Sequence, residues 1–296
     1  MTSDIPDPPD GLGVLLRGGW LDEAGASHHD AAVRPVRGED EQWLYALPLS
    51  TPEARVVTEL LARCVSRVGP GAPSRETVRE LPVGDREWLV AQLWRATFGD
   101  RVELVLTCPR QACGARMDVD FALSELPVEG PPQQPDFPLT WGDGDDVVRL
   151  RFRLPRGSDL EALGRAAAEG VPGEDLQAVL LSRCVLAYDS GGENAALSPG
   201  LMEALMEATR RGSALMRREF GASCPECGRE FAVEFDPILS FLTEMLRRRP
   251  EFERDVHLLS LYYHWPLSEI LAMSRVRRRR FVEFLLDRLE PASVGR

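Results

Sequence analysis

Two pairs of cysteines are the residues of this chain whose type and spacing could do chemistry. The first pair is Cys108 and Cys113, and the second is Cys224 and Cys227, in the segment Cys-Pro-Glu-Cys-Gly. Zinc takes four ligands in a tetrahedron and one hairpin tip supplies only two, so two tips must come together, within one chain or between two chains. This chain contains two such tips, and the pattern predicts one structural zinc site formed by all four cysteines.

Two other uses of these thiols stay open from the sequence alone: two pairs of free thiols, or two local disulfides. The Cys224 pair favours zinc because Cys-Pro-x-Cys-Gly provides the tight turn and the spare backbone N–H groups that a thiolate pair needs. The Cys108 pair is spaced more widely, with four intervening residues instead of two. Four protein ligands leave no open position for water or substrate, so we expect the metal to stabilise the fold and not to act in catalysis.

Two β-hairpins are predicted to position the cysteines. A strand-like stretch at residues 101–107 precedes the first pair, and another at residues 229–235 follows the second. Features around the two pairs recur at a spacing of 116 residues, which predicts an internal duplication in which each half contributes one cysteine pair. The alternative is that amphipathic helix–hairpin units resemble one another by chance. The matched positions are Leu81/Leu197, Gly84/Gly200, Glu103/Glu219 and Cys108/Cys224.

The predicted fold class is α+β, with internally duplicated helix plus β-hairpin halves joined by a zinc-ribbon-like four-cysteine site and followed by a C-terminal helical module. Prolines cluster between residues 129 and 138, where they disfavour helix and inner strand and so predict a linker. The predicted boundaries are an N-terminal tail and short hairpin (1–45), a first half (46–126), the linker (127–140), a second half (141–236) and the C-terminal module (237–296).

The composition indicates a globular protein of a reducing compartment. With 44% hydrophobic and 28% charged residues, the 296-residue chain is too apolar for a disordered protein. No apolar run approaches about 18 residues and the start is acidic and proline-rich, so neither a membrane span nor an export signal is predicted. Six cysteines then favour metal or core roles in the cytoplasm. The net charge of -12 argues against broad nucleic-acid binding.

No arrangement of residues typical of an enzyme is found in the sequence. Gly-x-Ser-x-Gly, a phosphate-binding loop, a dinucleotide fingerprint and His-Glu-x-x-His are all missing. The carboxylate pair Asp145–Asp146 is expected in a solvated turn, and His28 and His29 are expected in a solvated loop, since adjacent histidines cannot easily chelate one ion. The sequence therefore predicts a protein that is not an enzyme and has no small-molecule substrate.

The C-terminal module carries two features that could bind a partner. Residues 262–265, Tyr-Tyr-His-Trp, place aromatic rings at a helix end, where they form either a small satellite core or a recognition surface. Four arginines at residues 277–280 are the best nucleic-acid candidate, but they splay around one helical turn, so a solvated or protein-facing helix is favoured. The predicted partner-binding residues are Tyr263, His264, Trp265, Arg277 and Arg278.

Several short motifs together resemble a known family. They are Val-Arg-Pro-Val-Arg-Gly-Glu-Asp-Glu at residues 33–41, Leu-Pro-Val-Gly-Asp-Arg-Glu at 81–87, the two cysteine tips, and Tyr-His-Trp-Pro at 263–266 with its arginine-rich helix. These motifs resemble the T-even-phage-type baseplate hub assembly chaperones, which occur in contractile phage tails and in related extracellular contractile injection systems. The closing motif is also similar to small phage tail proteins that bear an aromatic–proline element before a last helix.

The resemblance implies a cytoplasmic, non-enzymatic protein that helps to build, or stays in, the baseplate of a contractile tail. It implies hub or wedge proteins as partners and no membrane. In this interpretation the zinc-linked halves form a rigid platform, and the C-terminal module holds a hub or wedge protein until assembly. Two alternatives remain: a permanent structural baseplate subunit, and a zinc-ribbon nucleic-acid-binding protein whose affinity would fall steeply with salt.

Overall fold

The chain forms two runs of elements with similar order, followed by a helical module. The computed structural model describes residues 11–22, 24–126, 128–129, 134–143, 147–190, 198–213, 215–216 and 219–289. The predicted tail at residues 1–10, residues 130–133 of the predicted linker, Asp145–Asp146 and Leu197 lie outside the described residues. The mixed helix and strand content agrees with the predicted class.

The N-terminal unit spans residues 12–122 and contains a three-stranded antiparallel sheet, helices and a hairpin. Its elements are β1 (Leu12–Leu21), β2 (Ser27–Val33), α1 (Gly38–Tyr45), α2 (Glu53–Cys64), β3 (Val65–Val68), α3 (Arg75–Arg79), α4 (Val83–Phe98), β4 (Arg101–Thr107) and β5 (Arg116–Ala122).

The central unit spans residues 128–234 and the C-terminal module spans residues 237–289. The central unit contains β6 (Val128–Glu129), β7 (Phe137–Trp141), β8 (Val148–Phe152), α5 (Gly157–Ala168), α6 (Gly173–Cys184), β9 (Val185–Ser190), α7 (Pro199–Gly212), β10 (Leu215–Met216), β11 (Glu219–Ser223) and β12 (Glu230–Glu234). The C-terminal module contains α8 (Pro237–Arg247), α9 (Arg249–Tyr263), α10 (Leu267–Ala272) and α11 (Arg275–Leu289).

The two units share one topology. Each has a three-stranded antiparallel sheet, β1–β2–β3 or β7–β8–β9, with two helices inserted between its second and third strands. A long helix then leads to a hairpin, β4–β5 or β11–β12. The strand β7 begins inside the predicted linker and includes Pro138, which is tolerated because β7 is an edge strand and its outer N–H positions need no partner.

Helix α4 lies at the centre of the largest hydrophobic core. Its Leu89, Val90 and Leu93 are at most 1% exposed, and a helix that is apolar on most sides must be enclosed by other elements. The β1–β2–β3 sheet, α2 and α8 pack around it. A smaller core fills the central unit. Among the described residues, no helix is both long and apolar enough to cross a bilayer.

His28 and His29 lie in strand β2 and not in the predicted loop. The glycine-rich sequence around them suggested a turn, but both imidazoles have partners within the sheet. The His28 ring stacks on Trp20 with centroids 5.4 Å apart, and its Nε2 lies 2.9 Å from a carboxylate oxygen of Asp22. The Nδ1 of His29 lies 3.0 Å from the carbonyl oxygen of Leu16. These contacts hold the irregular stretch of β1 against β2.

One turn recurs after the second strand of both units, with the pattern Arg-x-x-Arg-Gly-x-Asp. The guanidinium of Arg34 donates to both carboxylate oxygens of Asp40, at 2.7 and 3.2 Å. Arg153 donates to Asp159 in the same way, at 2.6 and 3.1 Å. Each aspartate also accepts a 2.9 Å bond from a backbone N–H at the start of the next helix. We call residues 34–41 the first socket and residues 153–160 the second socket.

Each socket pairs with an extended segment that leads into a helix. In the first socket the N–H of Gly38 donates to the carbonyl of Met273, at 3.1 Å. The N–H of Arg275 donates to the carbonyl of Val36, also at 3.1 Å. The second socket makes the same two bonds with the segment before α4, at 3.3 and 2.9 Å. We call residues 267–289 (α10 and α11) the C-terminal plug and residues 75–98 (α3 and α4) the N-terminal plug.

Candidate functional site

Both predicted cysteine pairs lie at the tips of hairpins. In each tip the backbone N–H of the first cysteine donates across the hairpin at 2.9 Å, to the carbonyl of Ala115 or of Arg229. The residue after the second cysteine is Gly114 or Gly228, with φ of 56° and 69°. An L side chain is strained in this left-handed region, so glycine closes both tips although they differ in length.

Aromatic packing brings the two hairpins together. The ring of Phe121 on β5 lies 4.9 Å from that of Phe220 on β11 and 5.1 Å from that of Phe235, measured between centroids. Nearer the tips, Met117 packs with the cysteines in a small cluster separate from the main core. The hairpins are therefore aligned along their length, which places the two tips side by side.

The four cysteine sulfurs form one compact group. Cys108 Sγ lies 3.7 Å from Cys227 Sγ, and Cys113 Sγ lies 3.8 Å from Cys224 Sγ. All four sulfurs lie within 4.8 Å of one another. A tetrahedral ion with metal–sulfur bonds of about 2.3 Å separates its ligands by about 3.8 Å, whereas a disulfide needs about 2.05 Å. All six cysteines carry free thiols, and these four could hold one metal ion within a single chain.

The thiols of the cluster differ in acidity. The backbone N–H of Arg229, together with hydrogen bonds from the other thiols, lowers the pKa of Cys227 to about 7. At Cys113 the N–H of Ala115 acts in the same direction, but burial and thiol–thiol hydrogen bonds outweigh it and raise the pKa to about 11. A thiolate is therefore favoured at Cys227, whereas a thiolate at Cys113 needs the positive charge of a bound metal.

The remaining two cysteines belong to the core. Cys64 and Cys184 are 0% exposed, each at the end of the helix that precedes a third strand. Burial raises the pKa of both thiols, to about 11 for Cys184. The carbonyls of these cysteines accept 2.9 Å hydrogen bonds from the backbone N–H of Arg34 and Arg153, the first residues of the two sockets. The backbone at these two positions therefore helps to anchor the sockets.

Part of the arginine run of α11 contacts other elements of the same chain. The guanidinium of Arg278 is 0% exposed and pairs with the buried carboxylate of Glu41 in the first socket. Arg275 contacts the same carboxylate at 2.8 Å and Glu251 on α9 at 2.7 Å. Arg277 is half-buried on the same turn. Arg278 was predicted to contact a partner, but its side chain is occupied by Glu41 and is not exposed to another protein.

The aromatic segment at residues 262–265 contributes some side chains to a small core and exposes others to solvent. Tyr263 stacks on Trp265 with ring centroids 4.7 Å apart, and Trp265 packs edge-on against Phe281 at 4.9 Å. These rings cover a small core of Leu259, Ile270 and Val282. Apolar side chains remain exposed around them: Leu261, Tyr262 and Leu267 are 53%, 47% and 49% exposed. The C-terminal surface is defined here as Leu261, Tyr262, His264 and Leu267 with the outer edges of Tyr263 and Trp265.

A comparison with protein families assigns the chain. It matches the family model described as T4 bacteriophage base plate protein over residues 30–243, which is more than half of its length. The chain belongs to this family. The resemblance found in the sequence is thereby confirmed for T4-type baseplate proteins. Comparisons with curated proteins and with solved structures gave no match.

The family match covers some of the features described above and leaves others out. It contains both cysteine pairs, both sockets and the N-terminal plug, and it stops within α8, before the C-terminal plug and the C-terminal surface. Our sequence reasoning singled out the cysteines but missed the sockets. Their signal was present, because Arg-x-x-Arg-Gly-x-Asp occurs at residues 34–40 and again at 153–159.

Proposed function

We propose that this base plate family member is a non-enzymatic assembly factor, a chaperone for the baseplate hub of a contractile phage-tail-like injection system, and that it binds hub or wedge subunits. The observation that carries the proposal is the C-terminal surface. Exposed apolar and aromatic side chains concentrated within residues 261–267 are typical of a protein–protein interface. The surface lies outside the range matched by the family, so it is suited to selecting a particular partner.

The rest of the chain is proposed to act as a platform for this surface. The proposal includes an internal duplication, supported by the shared topology and by the two Arg-x-x-Arg-Gly-x-Asp turns. It also includes one structural zinc ion held by Cys108, Cys113, Cys224 and Cys227, supported by sulfur separations of 3.7 and 3.8 Å. Bound zinc would link the two hairpins and would take no part in catalysis, because four protein ligands leave no position for substrate.

The zinc proposal is tested by elemental mass spectrometry together with light scattering after size exclusion. We expect one zinc per monomeric chain, and loss of that zinc in Cys108→Ser and in Cys224→Ser, measured separately. Cys184→Ala is the matched control, because Cys184 is buried away from the cluster. Zinc that is missing from the wild type, or present only in a dimer, would contradict a site within one chain.

The partner proposal is tested by co-expression pull-down with the baseplate proteins of the same injection system. Tyr262→Ala/Leu267→Ala is expected to weaken capture of one subunit about tenfold or more. These two residues are chosen because Trp265 also packs in the small core, so its removal would disturb the fold. The control is Leu186→Ala, since Leu186 is 52% exposed in the central unit. Equal capture by all three proteins would reject the C-terminal surface.

The alternative is that the protein is a permanent structural subunit of the baseplate. Such a subunit would use the same surface, but it would remain in the finished particle. A chaperone leaves once the hub is assembled, whereas a subunit stays in the particle. Quantitative mass spectrometry of purified particles separates the two. Absence from the particle, combined with binding to a hub or wedge protein, supports the chaperone; presence in a fixed ratio to other baseplate proteins supports the structural subunit.

A further inference from the structure

The two sockets have the same backbone geometry but different chemistry at one position. The residue after the capping aspartate is Glu41 in the first socket and Leu160 in the second. The Glu41 side chain is 0% exposed, and its two carboxylate oxygens contact different arginines of the C-terminal plug, Arg275 and Arg278. The first socket thus presents a buried negative charge, and the second presents an apolar side chain at the corresponding place.

The two plugs differ in a complementary way. The fourth residue of the long helix is arginine in both, Arg278 and Arg86, and each guanidinium lies against the glycine of its socket. The first residue is Arg275 in the C-terminal plug and Val83 in the N-terminal plug. Arg86 donates to no carboxylate within its socket: it bonds the carbonyls of Val78 and Ala54 and the hydroxyl of Thr58, at 2.8, 3.2 and 3.0 Å.

Exchanging the plugs between sockets would leave buried charges with fewer partners than they have now. The N-terminal plug in the first socket would offer Glu41 one arginine and a valine. The C-terminal plug in the second socket would place Arg275 against Leu160. A buried charge that loses its partner is strongly unfavourable, so the pair Glu41 and Arg275 makes the first socket discriminate between two otherwise similar segments.

The plug that fills the first socket lies beyond the range matched by the family. The family match includes the socket but ends before the C-terminal plug, and only residues 264–266 join that plug to α9. The socket holds the plug by two backbone hydrogen bonds and by ion pairs, which are contacts that do not depend on the chain being continuous. Two other carboxylates, Glu251 and Asp255 on α9, also contact arginines of the plug, and α9 packs against α1 through Phe252 and Tyr45.

We propose that the first socket is a selective binding site for a polypeptide segment presented by another chain. The segment that it takes has the chemistry of the C-terminal plug: two extended residues followed by a helix whose first and fourth residues are arginines. In this chain the site is filled in cis, and a segment of the same pattern competes for it in trans. The proposal goes beyond the baseplate role above, because it holds whichever subunit the C-terminal surface binds.

The test uses full-length protein in which the resident plug is repelled by charge reversal, Arg275→Glu/Arg278→Glu. A fluorescein-labelled peptide of residues 264–289 is titrated with this variant and followed by anisotropy. We expect saturable binding that becomes at least about 100-fold weaker with an Arg278→Glu peptide. The control peptide carries Arg280→Glu, because Arg280 is exposed, and should bind like the unmodified peptide. A peptide of residues 75–98 should not compete.

A second experiment tests the same proposal in case the first variant does not fold. Full-length Glu41→Arg is titrated with the charge-reversed peptide Arg275→Glu/Arg278→Glu, which should bind, while the unmodified peptide should not. The proposal is overturned if the unmodified peptide binds no tighter than its Arg278→Glu form, or if the 75–98 peptide competes equally well. A failure here leaves the pull-down on Tyr262 and Leu267 unaffected, since that experiment does not involve Glu41.

Discussion

Glu41 is the residue on which the attachment of the C-terminal module depends most. Its carboxylate is fully buried and compensates two guanidinium groups, those of Arg275 and Arg278. Buried ion pairs add little net stability over an apolar replacement, because desolvation offsets the attraction between the charges. Removing one partner is different, since the remaining buried charge is left uncompensated.

We therefore predict that Glu41→Gln lowers the free energy of unfolding by about 3 kcal/mol, measured by urea denaturation at neutral pH. Glu253→Gln is the matched control, because Glu253 also pairs with an arginine, Arg249, but both side chains are more than half exposed. That control should change the free energy by no more than about 0.5 kcal/mol. Equal effects of the two substitutions would mean that the Glu41 network is not buried as described.

Asp159 in the second socket is expected to make the stability of the fold decrease at acidic pH. Burial alone would raise its pKa, but hydrogen bonds from Arg153 and from the backbone N–H of Arg156 outweigh burial and hold the pKa below its ordinary value of 3.8. A carboxyl whose pKa is lower in the folded state stabilises the fold above its unfolded pKa. That contribution disappears as the pH falls through the folded pKa.

The wild-type protein is therefore expected to have a larger free energy of unfolding than Asp159→Asn, and this margin should be largest near neutral pH. The margin should start to shrink below about pH 4, because the carboxyl of the unfolded chain then takes up a proton while the folded carboxyl still resists protonation. Urea denaturation of both proteins along a pH series measures the margin. A margin that stays constant down to about pH 2.5 would show that Asp159 does not titrate as an ion-paired group.

The contact between a plug and a socket is the element-scale feature that repeats in this molecule. It needs glycine at the first position of the socket helix, because the plug backbone passes directly over it. A Cβ built on Gly38 would lie 2.8 Å from the Cα of Leu271, and one on Gly157 would lie 2.8 Å from the carbonyl oxygen of Arg79. Backbone atoms cannot move aside as a flexible side chain can.

Gly38→Ala is predicted to destabilise the docked C-terminal plug by about 1–3 kcal/mol, despite the higher helix propensity of alanine. Hydrogen exchange measured by mass spectrometry should show faster exchange in α10 and α11 first. Gly173→Ala is the matched control, since Gly173 also begins a helix and an added Cβ there meets nothing within 4 Å. A stabilising effect of Gly38→Ala would indicate that the plug is not held against the socket.

At the scale of the whole molecule, sequence reasoning succeeded where the pattern is local. The strand-like stretch predicted at residues 101–107 is β4 (Arg101–Thr107), and the arginine run at residues 277–280 lies on a helix as predicted, α11 (Arg275–Leu289). Cysteine spacing predicted the four-sulfur group, because thiol pairs at hairpin tips have few other uses.

Features that depend on distant pairing could not be predicted in the same way. Arg278 and Glu41 lie 237 positions apart, and no local pattern shows that an exposed-looking arginine run will face a buried glutamate. His28 was assigned to a loop because its neighbours are glycine-rich, whereas the ring of Trp20 and the carboxylate of Asp22 hold it in a strand. In both cases the tertiary partner decided the outcome, not the propensity of the segment.

The arrangement of the cores predicts how the molecule responds to loss of metal. The main core around α4 joins the N-terminal unit to α8 through Leu89, Leu93 and Phe241, and it contains none of the four clustered cysteines. The cysteine cluster is a separate core at the far ends of the two hairpins. The hairpins reach the main core from the end opposite their tips: Val102 and Phe235 belong to it, and Leu104, Phe121 and Phe220 pack against it.

If the proposed zinc ion is bound, its removal with a strong chelator is expected to separate the two hairpin tips and to leave the main core folded. Hydrogen exchange should accelerate at residues 106–119 and 222–231, where backbone groups would lose the constraint of the shared ion, while the amides of α4 keep their protection. Cys224→Ser should reproduce this local pattern without chelator. If chelation instead exposes α4 to exchange, the metal is required by the whole fold, and the hairpins and the main core unfold as a single cooperative unit.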